Sequence, residues 1–299
     1  MSPAQFTDLV HLRCTHVLST ALLLAGCGSP LETLNALTPD GGYERRTGIA
    51  YGDAPRQRLD VYRAGAPATG AHTIVFVYGG AWRSGRRDDY AFVAGALARA
   101  GHDVIVPDYR LYPGIVWPGF VEDVAAAIAR VDADAVALLG HELEAVVMMG
   151  HSSGAHTAAV IAASPGRWLE ADGLEVSGLI GIAGPYDLLL DDPEVAPVFA
   201  GVEDPDDAIP VARVGASHPP TLLLHGSDDE RVLPEHTRVH AAALRAAGVP
   251  VEVDTLPGAG HAGSIASFAA PLDLLNEAPE RTLTWLARLG AGERRERTD

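Results

Sequence analysis

Short apolar runs rich in β-branched residues alternate along this chain with stretches of helical length, and that alternation is the first feature to read. Thr73-Ile74-Val75-Phe76-Val77 is a continuous apolar run, as a strand buried on both faces requires. Similar runs predict strands at Asp103–Val106, Ala145–Met149, Gly178–Ile182, Thr221–Leu224 and Val251–Leu256, with helices at Phe120–Val131, Ser153–Ala163, Glu235–Ala247 and Leu272–Leu289. Upstream, Thr47–Tyr51 and Arg58–Tyr62 read as two short strands around a turn at Gly52-Asp53-Ala54-Pro55. Strand and helix patterns in alternation call for an α/β fold with a mostly parallel central sheet and helices on both faces. Residues 187–219, rich in Asp and Pro, are too irregular for the sheet and are expected over its carboxyl edge as a small lid insertion. The pattern gives one domain over residues 46–290, a tether over 28–45 with a short helix around Leu31–Leu37, and a frayed charged tail over 291–299.

One stretch organises the rest. The apolar run ending in Met148-Met149 is followed by Gly150-His151-Ser152-Ser153-Gly154 and then by an alanine-rich helix. This is G-x-S-x-G at a strand-to-helix turn, with Ser152 at the apex. So tight a turn strains the serine backbone and brings strand and helix so close that side chains at Gly150 and Gly154 would clash. The helix behind it aims free N–H groups and its positive dipole end at developing negative charge.

A serine hydroxyl needs a general base within reach and an acid to orient that base. In open α/β sheets such groups sit in loops at the carboxyl ends of strands. The loop after Val251–Leu256 carries His261, and the loop after Thr221–Leu224 carries Asp229, so the order is Ser152, Asp229, His261. His151, His156 and His225 are also histidines near these loops. The turn directs the first two away from Ser152, and His225 is placed to brace the acid loop; all three read as structural. Asp108 and Arg110 are expected to form an internal ion pair or hydrogen-bond set that Asp123 joins, and Asp187 to brace its own loop or to stand as a second-choice acid. No helical His spacing supports a metal site.

With these motifs in order, the chain from about Arg58 to Leu289 resembles the α/β-hydrolase superfamily, and within it the small esterases of the feruloyl-esterase-like and hormone-sensitive-lipase-like groups. His225-Gly226-x-x-Asp229-x-x-Val232 matches the family's acid loop and favours Asp229 over Asp228. Gly260-His261 matches its base, Pro107-Asp108-Tyr109-Arg110-Leu111 its D-Y-R-L segment, and Gly184-Pro185-Tyr186-Asp187-Leu188 the stretch before its lid. Tyr78-Gly79-Gly80-Ala81-Trp82 stands where relatives carry H-G-G-x-W, with Tyr78 in place of the histidine that props the loop. The resemblance implies an oxyanion hole from Gly79, Gly80, Ala81 and the N–H of Ser153, contributing about 3 to 4 kcal/mol to transition-state stabilisation. It also implies Trp82 as a substrate-binding residue. The expected function is hydrolysis of short-chain carboxylic esters through a Ser-His-Asp triad, without a cofactor, because so small a lid is poorly suited to enclosing a long acyl chain. Two alternatives stay open: an amide hydrolase of arylformamidase-like or peptidase-like type, and a non-catalytic binding lipoprotein of the same fold.

Charge and cysteines narrow the setting. Among 299 residues, 39 acidic against 22 basic side chains give a formal charge of −17, which would repel a phosphate backbone and argues against nucleic acid as a partner. All the basic residues are arginine. The two cysteines, Cys14 and Cys27, lie near the start, leaving the body no disulfide, structural zinc or cysteine nucleophile. Residues 1–27 read as a signal segment, with His11, Arg13 and His16 before the apolar Val17–Leu24. Leu24-Ala25-Gly26-Cys27 resembles the lipobox of bacterial lipoproteins. That implies a lipid anchor on Cys27 and a place in the bacterial cell envelope, on the outer membrane or periplasmic face.

Overall fold

The computed structural model describes residues 30–169 and 173–296. The expected signal segment and the lipobox Cys27 lie outside them.

A single eight-stranded sheet runs through the molecule in the order β1-β2-β4-β3-β5-β6-β7-β8. Its strands are β1 (Tyr43–Ala50), β2 (Arg58–Ala64), β3 (Thr73–Val77), β4 (Asp103–Pro107), β5 (Ala145–His151), β6 (Glu175–Ile182), β7 (Thr221–Gly226) and β8 (Val251–Leu256). From β4 to β8 all neighbours are parallel, whereas β1 with β2 and β2 with β4 are antiparallel. Every residue of β3, β4 and β7 is buried, which is why those segments read as unbroken apolar runs rather than as alternating patterns. Helices α1 (Pro30–Leu37), α2 (Ala91–Arg99), α3 (Gly119–Ala133), α4 (Ser153–Ala163), α5 (Glu235–Ala246) and α6 (Ala278–Glu296) accompany the sheet.

The sequence pattern gave no sign of α2. Its residues, Ala91-Phe92-Val93-Ala94-Gly95-Ala96-Leu97-Ala98-Arg99, are small or apolar nearly all round, so no polar face marks a helical period. Gly95 is the close-approach point: a Cβ there would lie 3.0 Å from the Tyr43 hydroxyl. The last helix also differs from the expected Leu272–Leu289. It starts at Ala278, where the Asn276 carboxamide oxygen accepts from the Ala278 N–H at 3.0 Å, and it runs on to Glu296 through part of the expected frayed tail. Leu274, expected inside the helix, is 93% exposed in the preceding loop. Pro279 explains the late start, since proline is tolerated in the first helical turn and not further in. The segment expected as a tether is docked from Pro30 onward. Asn35 donates to the carbonyls of Asp88 and Asp89 and accepts from the Phe92 N–H, and β1 already begins at Tyr43.

Four buried histidines give the fold a pH dependence. Burial disfavours the imidazolium and pushes His156 down to about 4; a neighbouring histidine adds to that effect and holds His102 at about 4 and His151 and His240 at about 3. The unfolded chain protonates these groups near pH 6.5 and the folded chain only near 3 to 4. Their stabilisation is therefore complete above pH 6.5 and lost as pH falls through that window, by up to about 2 kcal/mol per histidine between pH 6.5 and 5. The urea midpoint of unfolding is expected to fall steeply between pH 7 and 5; an unchanged midpoint would contradict this burial.

Candidate active site

Four parallel strands deliver the candidate residues to one edge. Ser152 follows β5, the Tyr78–Trp82 loop follows β3, Asp229 lies just past β7, and His261 lies beyond β8. Ser152 has φ +56° and ψ −127°, left-handed backbone that a non-glycine residue holds only when its surroundings impose it. The surroundings here are steric. A Cβ on Gly150 would come within 2.3 Å of the Gly154 carbonyl oxygen, and one on Gly154 within 2.0 Å of the Val77 carbonyl oxygen. Glycine at both positions therefore lets α4 press against β5 and β3, with Ser152 as the residue before the helix.

The Ser152 hydroxyl donates to His261 Nε2 at 2.9 Å, and His261 Nδ1 donates to Asp229 Oδ2 at 2.8 Å. The other Asp229 oxygen accepts the N–H groups of Arg231 and Val232, both at 3.0 Å. Burial would raise the Asp229 carboxyl, but the N–H bonds and the His261 contact outweigh it and hold the group below its ordinary range. The acid is thus a fixed carboxylate aimed at one imidazole nitrogen. Asp228 is exposed and accepts instead from the Ser227 hydroxyl at 2.7 Å. His225 touches the acid loop as a brace, with Nδ1 2.7 Å from the Thr237 hydroxyl and Nε2 2.8 Å from the Val232 carbonyl.

The glycine loop after β3 is strongly bent. Gly80 has φ +133°, and Ala81 and Trp82 follow at +52° and +57°. In a turn, consecutive backbone N–H groups can face the same side, as an anion site requires. Among the described residues, no loop carbonyl accepts from the N–H of Gly80 or Ala81. Ser153 opens α4, where the first N–H groups have no partner within the helix. Gly79 is held to glycine by contact with the nucleophile turn: a Cβ there would lie 2.9 Å from Ser152 Cβ.

Tyr78 supports that loop from beneath. Its ring stacks between Tyr90 and Tyr109, its hydroxyl donates to Asp108 Oδ1 at 2.8 Å, and Arg56 donates to the same hydroxyl at 2.8 Å. Tyr109 in turn donates to the Tyr78 carbonyl. Asp108 is not paired with Arg110, contrary to expectation. It pairs with Arg87, which also bonds the fully buried Asp60, while Arg110 pairs with Asp123 on α3. Arg87 was invisible in the sequence because Arg86-Arg87-Asp88-Asp89 reads as an ordinary solvated charge run.

Two other residues singled out in the sequence lie nearby. Trp82 is 4% exposed, and its ring meets His156 and Phe199 edge-on at 5.2 and 5.0 Å. Asp187 is exposed, and its backbone N–H donates to His236 Nδ1 at 3.3 Å. The segment 187–219, expected as a lid, is packed against the rest of the molecule. Trp117 N–H donates to the Val198 carbonyl, Arg83 to the Glu194 carbonyl, and His156 Nε2 to the Ala208 carbonyl, with Phe199 buried between Trp82 and Trp117.

Known proteins resemble this chain in sequence and in fold. The BD-FAE family model matches residues 59–244. Esterase LipC of Mycobacterium tuberculosis is 34% identical over 243 residues, covering 73% of this chain and 60% of that protein. Isoprenylcysteine alpha-carbonyl methylesterase ICME of Arabidopsis thaliana is 27% identical over 240 residues, covering 72% and 56%. The matched region therefore spans about three fifths of the curated relatives' length. Among solved structures, esterase B from Lactobacillus rhamnosis superposes with a TM-score of 0.76 at 15% identity, covering 99% of both chains. A truncated carbohydrate esterase from gut microbiota gives 0.72 at 20% identity, covering 85% of this chain and 99% of that one. At such identities the structures show a shared fold: the mostly parallel sheet of the α/β-hydrolases.

Proposed function

Because this chain belongs to the BD-FAE family, we propose that it is a serine hydrolase of carboxylic esters, with Ser152 as nucleophile, His261 as general base and Asp229 as the acid that orients it. The observation that carries this reading is the hydrogen-bonded line from Asp229 through His261 to Ser152, ending at a strained serine before a helix N-terminus. In the first step His261 Nε2 takes the Ser152 proton as Oγ attacks the acyl carbon, and Asp229 stabilises the resulting imidazolium. The carbonyl oxygen, now negative, rests on the N–H groups of Gly80, Ala81 and Ser153, with Gly79 giving the loop room beside Ser152. Collapse of the intermediate expels the alcohol, which takes its proton from His261. Water then attacks the acyl-enzyme by the same route and releases the acid. None of these steps uses a cofactor.

We place the preferred substrates among esters of short acyl chains, since the lid is packed onto Trp82 and α4 and its buried Phe199 fills space a long chain would need. p-Nitrophenyl acetate and butyrate are expected to turn over at least tenfold faster than the dodecanoate. Faster hydrolysis of the dodecanoate would overturn the short-chain assignment. The lipobox-like Leu24-Ala25-Gly26-Cys27 supports a lipid anchor that holds the enzyme on the bacterial cell envelope.

A further inference from the structure

His151, the residue before the nucleophile, has no part in the steps above, yet its ring lies inside the site. It is 5% exposed, and its centroid is 4.9 Å from that of His261 at a 38° tilt. Its Nε2 is 3.2 Å from the backbone carbonyl oxygen of His261. Since a carbonyl only accepts, His151 must carry its proton on Nε2 and present a bare lone pair at Nδ1. Nδ1 is buried without a hydrogen-bond partner and is 3.2 Å from where a Cβ on Gly79 would stand. The ring is therefore wedged between the glycine loop and the base loop, with its one N–H spent on the residue that carries the base.

We propose that His151 is a positioning residue that holds the catalytic base in place through its Nε2–H bond to the His261 carbonyl; this rests on the serine-hydrolase reading of the same site. His261 sits in a glycine-flanked loop, Pro257-Gly258-Ala259-Gly260-His261-Ala262-Gly263, between β8 and a short helical turn at Gly263–Ala266. Its side chain is fixed at both nitrogens, but those bonds set the ring only if the backbone beneath it stays still. The bond from His151 ties that backbone to the end of β5, directly before Ser152, so base and nucleophile share one support. Burial, with His261 close by, keeps His151 neutral at working pH, so the donor tautomer persists while His261 gains and loses its proton.

The test compares the full chain with His151→Phe, His151→Asn and His151→Gln. Glutamine places an amide N–H near the position of Nε2, asparagine falls one methylene short, and phenylalanine keeps the ring without the donor. Expected on p-nitrophenyl acetate is a fall in kcat of about 10- to 100-fold for Phe and Asn, as misplacement by ~1 Å costs up to ~10²-fold, with KM within threefold and recovery to within fivefold of wild type for Gln. Thermal midpoints separate this from unfolding, and the Asn and Gln pair carries the contrast alone if the Phe variant does not fold. Wild-type kcat in the Asn variant, or a Gln variant as slow as Asn, would overturn the positioning role while leaving the hydrolase reading standing. An inactive wild type would instead overturn the hydrolase reading itself.

Discussion

Ser152→Ala is expected to lower kcat on p-nitrophenyl acetate by about 10⁶-fold while leaving the fold and the thermal midpoint nearly unchanged. The size follows from the roles. Without Oγ no acyl-enzyme forms, and what remains over water is the oxyanion site and substrate binding, worth ~10³ to 10⁴-fold. The small structural effect follows from the geometry. The strain at Ser152 is imposed by Gly150 and Gly154 and by the backbone bond from Ser152 N–H to the Ile182 carbonyl at 2.9 Å, all of which alanine keeps. A variant that retained more than about a hundredth of wild-type kcat would mean that another group attacks the ester.

The second large effect is at Asp229. Asp229→Asn is expected to reduce kcat by about 10⁴-fold, because an amide can offer its NH2 to His261 Nδ1 and so favour the tautomer that leaves Nε2 protonated and unable to accept from Ser152. The two backbone N–H groups of Arg231 and Val232 strengthen the expectation. They require an acceptor at the position of Oδ1, which turns the asparagine oxygen towards them and its NH2 towards the histidine. Its KM should change little, since the residue is 3% exposed and behind the base. Stopped-flow and steady-state rates across pH 6 to 9 check this. An Asp229→Asn enzyme with kcat within tenfold of wild type would point to a different acid.

The parts of the site that the sequence disclosed are those set by local backbone sterics. Gly150-x-Ser152-x-Gly154 announces a crowded strand-to-helix turn because the clash lies within the motif and in the adjacent strand. The order of Ser152, Asp229 and His261 also follows from the alternation of strands and helices, which puts each loop on the same edge. The less legible parts depend on what lies across space. Trp82 reads as an aromatic beside a glycine loop, and nothing in its neighbours foretells that His156 and Phe199 close over it. Asp108 and Arg110 stand two residues apart, yet their partners come from distant parts of the chain that the local sequence does not announce: Asp108 meets Arg87 and Tyr78 while Arg110 meets Asp123. The same limit hid α2, whose uniform small residues carry no period, and let an apolar run around Leu272–Leu275 pass for helix although Pro279 sets the start further on.

Covalent trapping distinguishes an activated Ser152 from an inert one. The full chain is treated with a fluorophosphonate, which reacts with a serine only where a base takes its proton and N–H groups hold the phosphoryl oxygen, and the intact mass and the modified peptide are then read. The expected result is one adduct per chain, located on Ser152, with loss of esterase activity in step and no labelling of the Ser152→Ala variant. No adduct on folded protein, or an adduct on another serine that abolishes activity, would contradict it.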